Sequence, residues 1–229
     1  MEFQPILKEL TFQGSVFTEF PPNVLSKNNP DIRKVEYAVD GRPILVLYDV
    51  FSEEECETII ELSEKCGYES LSHIYPEDYR NNLRIIVDDR PFTDKWHGRM
   101  KDHIDRMADR GGIVPVCMNQ RLRICKYNKS GKFAAHYDSP ISHDGLESVY
   151  TVMAYLNDVP REQGGATRFF SEKTPGLPPI CIHPKRGSVV IFKHNIAHDG
   201  EELRGDRKYI MRSDVMCGGT YGSPCDPLP

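Results

Sequence analysis

Two periodicities divide the chain. Upstream, apolar residues recur every third or fourth position; downstream, polar and apolar residues alternate. The run Ser52-Glu-Glu-Glu55 opens the first helical stretch, with Ser52 as N-cap, Glu55 three residues on and acidic side chains in the first turn. Cys56, Ile59, Ile60 and Ser63 continue at helical spacing with Leu62 alongside, and Gly67 stops the run. Trp96, Met100, Ile104 and Met107 stand at i, i+4, i+8 and i+11. They predict a second helix from Asp94 to Met107, closed by Gly111-Gly112. Pro43-Ile-Leu-Val-Leu-Tyr48 reads as a buried strand and 10–17 as a candidate strand. The stretch from Tyr79 to Asp89 brings Asn82 and Arg84 up to another, on one face of it if the strand begins that early.

From Val114 the pattern changes. Arg121-Leu-Arg-Ile-Cys-Lys-Tyr127 alternates residue by residue, which is the period of a strand with one face buried. Strands are predicted at 121–127, 133–138, 148–157, 166–170, 179–183, 187–193 and 207–216. Helices first and strands after predict a mainly β chain with flanking helices (α+β). The order suggests a jelly-roll, cupin-like barrel packed by the N-terminal helices. The expected organisation is an N-terminal extension (1–43), a helical support region (44–112), the β core (113–217) and a C-terminal tail (218–229).

Composition narrows the partners. A hydrophobic fraction of 39% and a charged fraction of 28% are those of an ordinary soluble globule. A net charge of -5 with no Lys/Arg cluster counts against nucleic acid. Seven cysteines without a Cys-x-x-Cys pair count against a zinc-thiolate site and a disulfide framework. They point to the cytoplasm or another reducing, soluble compartment. The first residues lack the basic and apolar regions of a signal peptide, and no apolar run is long enough to cross a membrane.

Candidate chemistry centres on Phe133-Ala-Ala-His136-Tyr137-Asp138. In an extended segment His136 and Asp138 project to one side and Tyr137 to the other. His198, after the strand-like run 187–192, supplies a third ligand. Two imidazoles and one carboxylate form the facial triad that leaves positions open on iron(II). A His-x-Asp triplet is common by itself, and Asp138-Ser-Pro140 could simply start a turn. The remaining histidines are read as outside the site: His143 on a loop, His183 before a proline, His194 at the surface, and His73, His97 and His103 far upstream.

Further features follow in order: Ser148-Val-Tyr-Thr-Val-Met-Ala-Tyr155-Leu-Asn157, Gly164-Gly-Ala-Thr167-Arg-Phe-Phe170, His198-Asp-Gly200, and Lys208-Tyr-Ile-Met-Arg212. Together with the triplet they resemble the prolyl 4-hydroxylase-like branch of the iron(II)- and 2-oxoglutarate-dependent dioxygenases, across about three quarters of the chain. The resemblance implies a double-stranded β-helix over 113–217 and Fe(2+), 2-oxoglutarate and O2 as cofactors, with ascorbate as an accessory. It places His136, Asp138 and His198 on the metal and Lys208 on the distal carboxylate of 2-oxoglutarate; Arg212, four residues on and so on the same strand face, is the alternative or second cation. Tyr127, Tyr155 and Thr167 fall beside 2-oxoglutarate. It implies a prolyl residue of a peptide or protein as substrate, with Asn82, Arg84, Tyr137 and the loops 139–147 and 171–179 as candidate contacts. The rival readings are the same chemistry on a small molecule or alkylated base, a non-catalytic cupin-like binding module, and a zinc or manganese cupin hydrolase or isomerase.

Overall fold

The computed structural model describes residues 3–26, 30–108 and 113–218. The expected helix stop at Gly111-Gly112 and the tail after Gly218 lie outside the described residues. The chain opens with β1 (Leu7–Thr11), β2 (Gly14–Phe17), β3 (Arg33–Val39), β4 (Arg42–Tyr48), α1 (Glu53–Cys66), β5 (Glu69–Ser70), β6 (Leu83–Asp88) and α2 (Arg90–Ala108). It continues through β7 (Val114–Met118), β8 (Arg121–Asn128), β9 (Phe133–His136), β10 (Ser142–His143) and β11 (Leu146–Tyr155). The last elements are β12 (Thr167–Phe169), β13 (Ile180–Ile182), β14 (Val189–Lys193), β15 (His198–Gly200) and β16 (Arg207–Gly218).

The helix termini follow local chemistry. Ser52 Oγ accepts from the Glu55 amide while Glu55 accepts from the Ser52 amide, a reciprocal cap on α1. Gly67 ends α1 at φ 81°, a backbone that side chains disfavour. α2 begins at Arg90, four residues before the apolar stripe predicts. Its cap is the Asp89 carboxylate, which accepts from the amides of Phe92 and Phe20. That signal is polar, so the stripe could not show it.

A large sheet runs β1-β2-β6-β8-β16-β11-β14-β4-β3, and a small sheet runs β13-β12-β15-β9. This is the jelly-roll arrangement, with the pleat giving the large sheet two unlike faces. Leu122, Ile124, Val152, Ala154, Val189, Ile191, Tyr209 and Met211 pack with Cys56, Ile59 and Leu62 of α1 and Trp96, Met100 and Ile104 of α2 in one apolar core. Their neighbours in sequence, Cys125, Tyr127, Met153, Tyr155, Val190, Phe192 and Ile210, join a second core with Phe169 and Ile182 of the small sheet. The N-terminal residues are built into the body: β2 pairs with β6 in parallel, and Phe17, Phe20, Val24 and Leu25 enter the helix-side core.

Candidate functional site

β9 and β15 are antiparallel neighbours with His136 opposite His198, which brings the two imidazoles to one place. Asp138 follows β9, and its amide donates to the His194 carbonyl at 3.0 Å. His136 Nδ1 lies 2.8 Å from the Ala134 carbonyl and His198 Nδ1 lies 2.9 Å from that of Ile196. A carbonyl only accepts, so each Nδ1 carries the proton and each Nε2 keeps a free lone pair. Both Nε2 atoms face Asp138, at 3.8 Å for His136 and 3.7 Å for His198. Among the described residues these three form one group whose ligand atoms all lie within 4.8 Å of one another. Tyr137 is half-exposed, with its hydroxyl on Glu172.

Burial pushes the His136 imidazole down to about 4, with His198 adding to the shift, and burial lowers His198 as well. Both are neutral near pH 7. Burial alone would raise Asp138, but Arg212, both imidazoles and the Thr151 hydroxyl outweigh it and hold the carboxyl well below its usual range. Two neutral nitrogen donors and one ionised carboxylate thus converge without needing to lose a proton first.

Lys208 is buried on β16, opposite Tyr127 of β8, with Nζ 4.2 Å from the centre of that ring. The ammonium donates to the Gly165 carbonyl at 2.9 Å. Burial pushes Lys208 down to about 8. The Tyr155 hydroxyl lies behind the cavity wall and donates to Thr167 Oγ1 at 2.7 Å; Thr167 is the one of the pair that lines the cavity. Arg212 stands at the other end of this face, about 13 Å on by strand rise. It meets Asp138 at 2.9 Å and Asp214 at 3.2 Å, so it is turned to the aspartates rather than to the ammonium end.

One cavity of about 540 Å³ joins these groups. Its lining includes His136, Asp138, His198, Lys208, Tyr127, Thr167, Arg212, Arg84 and Tyr137. Asn82 is buried just before β6, where it accepts from Arg80 Nε at 2.6 Å. Ser139, Pro140 and Ile141 of the expected loop line the cavity. From the loop 171–179, Glu172 touches Tyr137 alone of the candidate side chains. The sequence reading missed Arg80, Tyr75, Tyr79, Phe133 and Arg123, which also line it. Arg80 and Arg123 flank the candidates Asn82 and Arg84 in sequence or space, and alternation from Tyr127 back through Cys125 would have put Arg123 on the cavity face. His194 is a correction: it is buried, with Nδ1 3.3 Å from Thr151 Oγ1, directly behind Asp138. The β11–β14 pairing carries its segment under the site, which a strand pattern cannot reveal.

Residues 122–213 match the family model of the 2OG-Fe(II) oxygenase superfamily. The chain is 27% identical over 180 residues to prolyl 4-hydroxylase subunit alpha-2 of Gallus gallus, a match covering 73% of this chain and 31% of that relative. It therefore spans less than a third of the relative's length. The viral collagen prolyl hydroxylase of Paramecium Bursaria Chlorella virus-1, solved as a 2OG complex, has a TM-score of 0.57 at 18% identity, covering 80% of this chain and 99% of that one. A Pseudomonas putida prolyl-4-hydroxylase has a TM-score of 0.59 at 12% identity, covering 75% and 91%. These two share the fold. The chain is thus similar to the 2OG-Fe(II) oxygenases over residues 122–213 and, over 180 residues, to a prolyl 4-hydroxylase alpha subunit.

Proposed function

We propose that this chain is a 2-oxoglutarate-dependent dioxygenase that hydroxylates a prolyl residue in a peptide or protein. The observation that carries the reading is the convergence of His136, Asp138 and His198 on the same cavity as a buried lysine. Two imidazole nitrogens and one carboxylate suit iron(II), because three protein ligands leave room for a bidentate oxo acid and O2. When bound, the iron supplies the oxidative chemistry: substrate C–H, O2 and 2-oxoglutarate give C–OH, succinate and CO2.

The chain's own groups do the rest. The Ala134 and Ile196 carbonyls fix the two imidazole tautomers, and Thr151 orients the Asp138 carboxylate. Lys208 binds the distal carboxylate of 2-oxoglutarate as a point charge, with Tyr127 beneath it. Thr167, held by Tyr155, adds a hydroxyl to that end. Arg212 acts on Asp138 instead. Tyr75, Tyr79 and Phe133 form an aromatic wall on which an apolar pyrrolidine ring can pack. Ascorbate enters only as an accessory reductant, with no residue assigned to it.

The test is coupled turnover. With iron(II), 2-oxoglutarate and proline peptides, succinate should form in step with a peptide product heavier by one oxygen atom. Succinate without product on any proline peptide would reject the prolyl assignment, and no succinate above the enzyme-free rate would reject the activity.

A further inference from the structure

Charge balance in the cavity leaves a remainder. Arg123 and Arg212 share Asp214, and Arg212 also meets Asp138. Asp199, on the cavity wall, is held by Arg168. On the reading above, Lys208 serves 2-oxoglutarate. Arg80 and Arg84 are left over. Both line the cavity, both are more than nine-tenths buried, and neither forms an ion pair with a carboxylate among the described residues.

Their existing contacts do not offset two charges. Arg84 Nη2 donates to the Gln13 carbonyl at 2.5 Å, while its Nε is buried with no hydrogen-bond partner. Arg80 donates to Asn82 and, at 3.8 Å, to Cys125 Sγ, a weak acceptor. Its guanidinium lies 4.2 Å from the Phe133 ring centre and 5.3 Å from that of Tyr75. Burial lowers Arg84, and the neighbouring Arg80 and Arg123 lower it further. A buried cation without an anion is costly, and a buried N–H without an acceptor adds to that cost. Folds retain such groups where a ligand completes them.

Phe133 ties the pair to the reaction centre: it touches Arg80 on one side and stacks on His136 at 3.6 Å between ring centres. We propose that Arg80 and Arg84 form an anion subsite for the primary substrate, which presents a carboxylate next to the oxidised position. In a polypeptide that is an acidic side chain beside the target proline. Arg84, which lines the cavity, binds the carboxylate through its guanidinium, and Arg80, over the Phe133 ring and bonded to Asn82, adds charge from the side. The subsite rests on the dioxygenase reading for its substrate but not for its geometry.

Calorimetry on the full chain loaded with manganese(II) and 2-oxoglutarate, which cannot turn over, tests it. The probes are acetyl-Glu-Pro-Gly-amide against acetyl-Gln-Pro-Gly-amide, and N-acetylproline against N-acetylprolinamide. The Glu peptide should bind at least about tenfold tighter than its Gln isostere. Arg84→Met should bring that ratio to within about twofold, and Arg84→Lys should restore part of it. A preference confined to N-acetylproline and lost in Arg84→Met would support the subsite with a free acid as its ligand. Equal binding of acid and amide in both pairs, or a preference that survives Arg84→Met, overturns it. Acid preference with no succinate under iron(II) and O2 would sink the dioxygenase reading and keep the subsite; succinate at equal rates from acid and amide peptides would do the reverse.

Discussion

The two faces of the large sheet are made by the same strands and obey opposite rules. On β16, Tyr209, Met211 and Val215 point to the helices, while Lys208, Ile210, Arg212 and Asp214 belong to the cavity side. On β8, Leu122 and Ile124 oppose Arg123, Cys125 and Tyr127 in the same way. The helix face is dry and apolar, so its residues are exchangeable for others of similar volume. The cavity face buries cations and carboxylates, which cost stability unless each is partnered. The candidate site shares its face with the second apolar core, while the helix face carries packing alone. Substitutions on one face should therefore leave the other's property standing.

The largest effect belongs to the cavity face. His136→Ala should lower 2-oxoglutarate turnover by about three orders of magnitude or more, since a lost ligand removes the metal rather than weakening it. The melting temperature without metal should stay within a few degrees, because His136 contributes little to either apolar core. Steady-state succinate formation and a thermal melt check both halves; a variant that melts early would show that the faces are not independent. Next comes the helix face. Ile191→Ala opens a cavity in fully buried packing between β14 and the helices. It should cost about 2–4 kcal/mol in denaturant unfolding, with kcat/KM of the folded fraction unchanged within about threefold.

This division also explains what could be read from the residues in order. The helix face was legible because its signal is hydrophobic periodicity: Trp96, Met100 and Ile104 are buried as their spacing predicts. The metal candidates were legible because His136 and Asp138 are a strand step apart, and the jelly-roll came with the family resemblance. What stayed hidden depends on pairings between distant segments. Nothing near Asp89 announces that its carboxylate also holds the Phe20 amide. His194 looks like a surface residue until β14 is seen to run beside β11, next to Thr151. Arg80 sits in loop sequence, and only the bridge to Phe133 carries it to the cavity. Arg212 shares a strand face with Lys208, yet Asp138, 74 positions earlier in the numbering of this chain, decides where it points.

The smallest effect is a titration confined to the cavity face. Lys208 has its ammonium pushed down to about 8, chiefly by burial; Cys125, Glu201 and Asp199 pull the other way. A lysine so depressed is charged below pH 8 and neutral above it. The carboxylates of 2-oxoglutarate stay ionised throughout, and His136 and His198 are already neutral, so Lys208 is the cavity cation that changes charge in this window. The Kd of 2-oxoglutarate with manganese(II) bound should then be flat up to about pH 8 and rise up to about tenfold per pH unit beyond it. Lys208→Met should bind more weakly at every pH and lose the slope, because no amine is left to take up the proton that binding requires. The same variant removes a buried charge and should gain about 1–2 kcal/mol of stability without ligand, again separating what the cavity needs from what the fold prefers. A pH slope that persists in Lys208→Met would mean that another group, such as Arg212 acting through Asp138, governs the oxo acid, and the assignment of Lys208 to the distal carboxylate would fall.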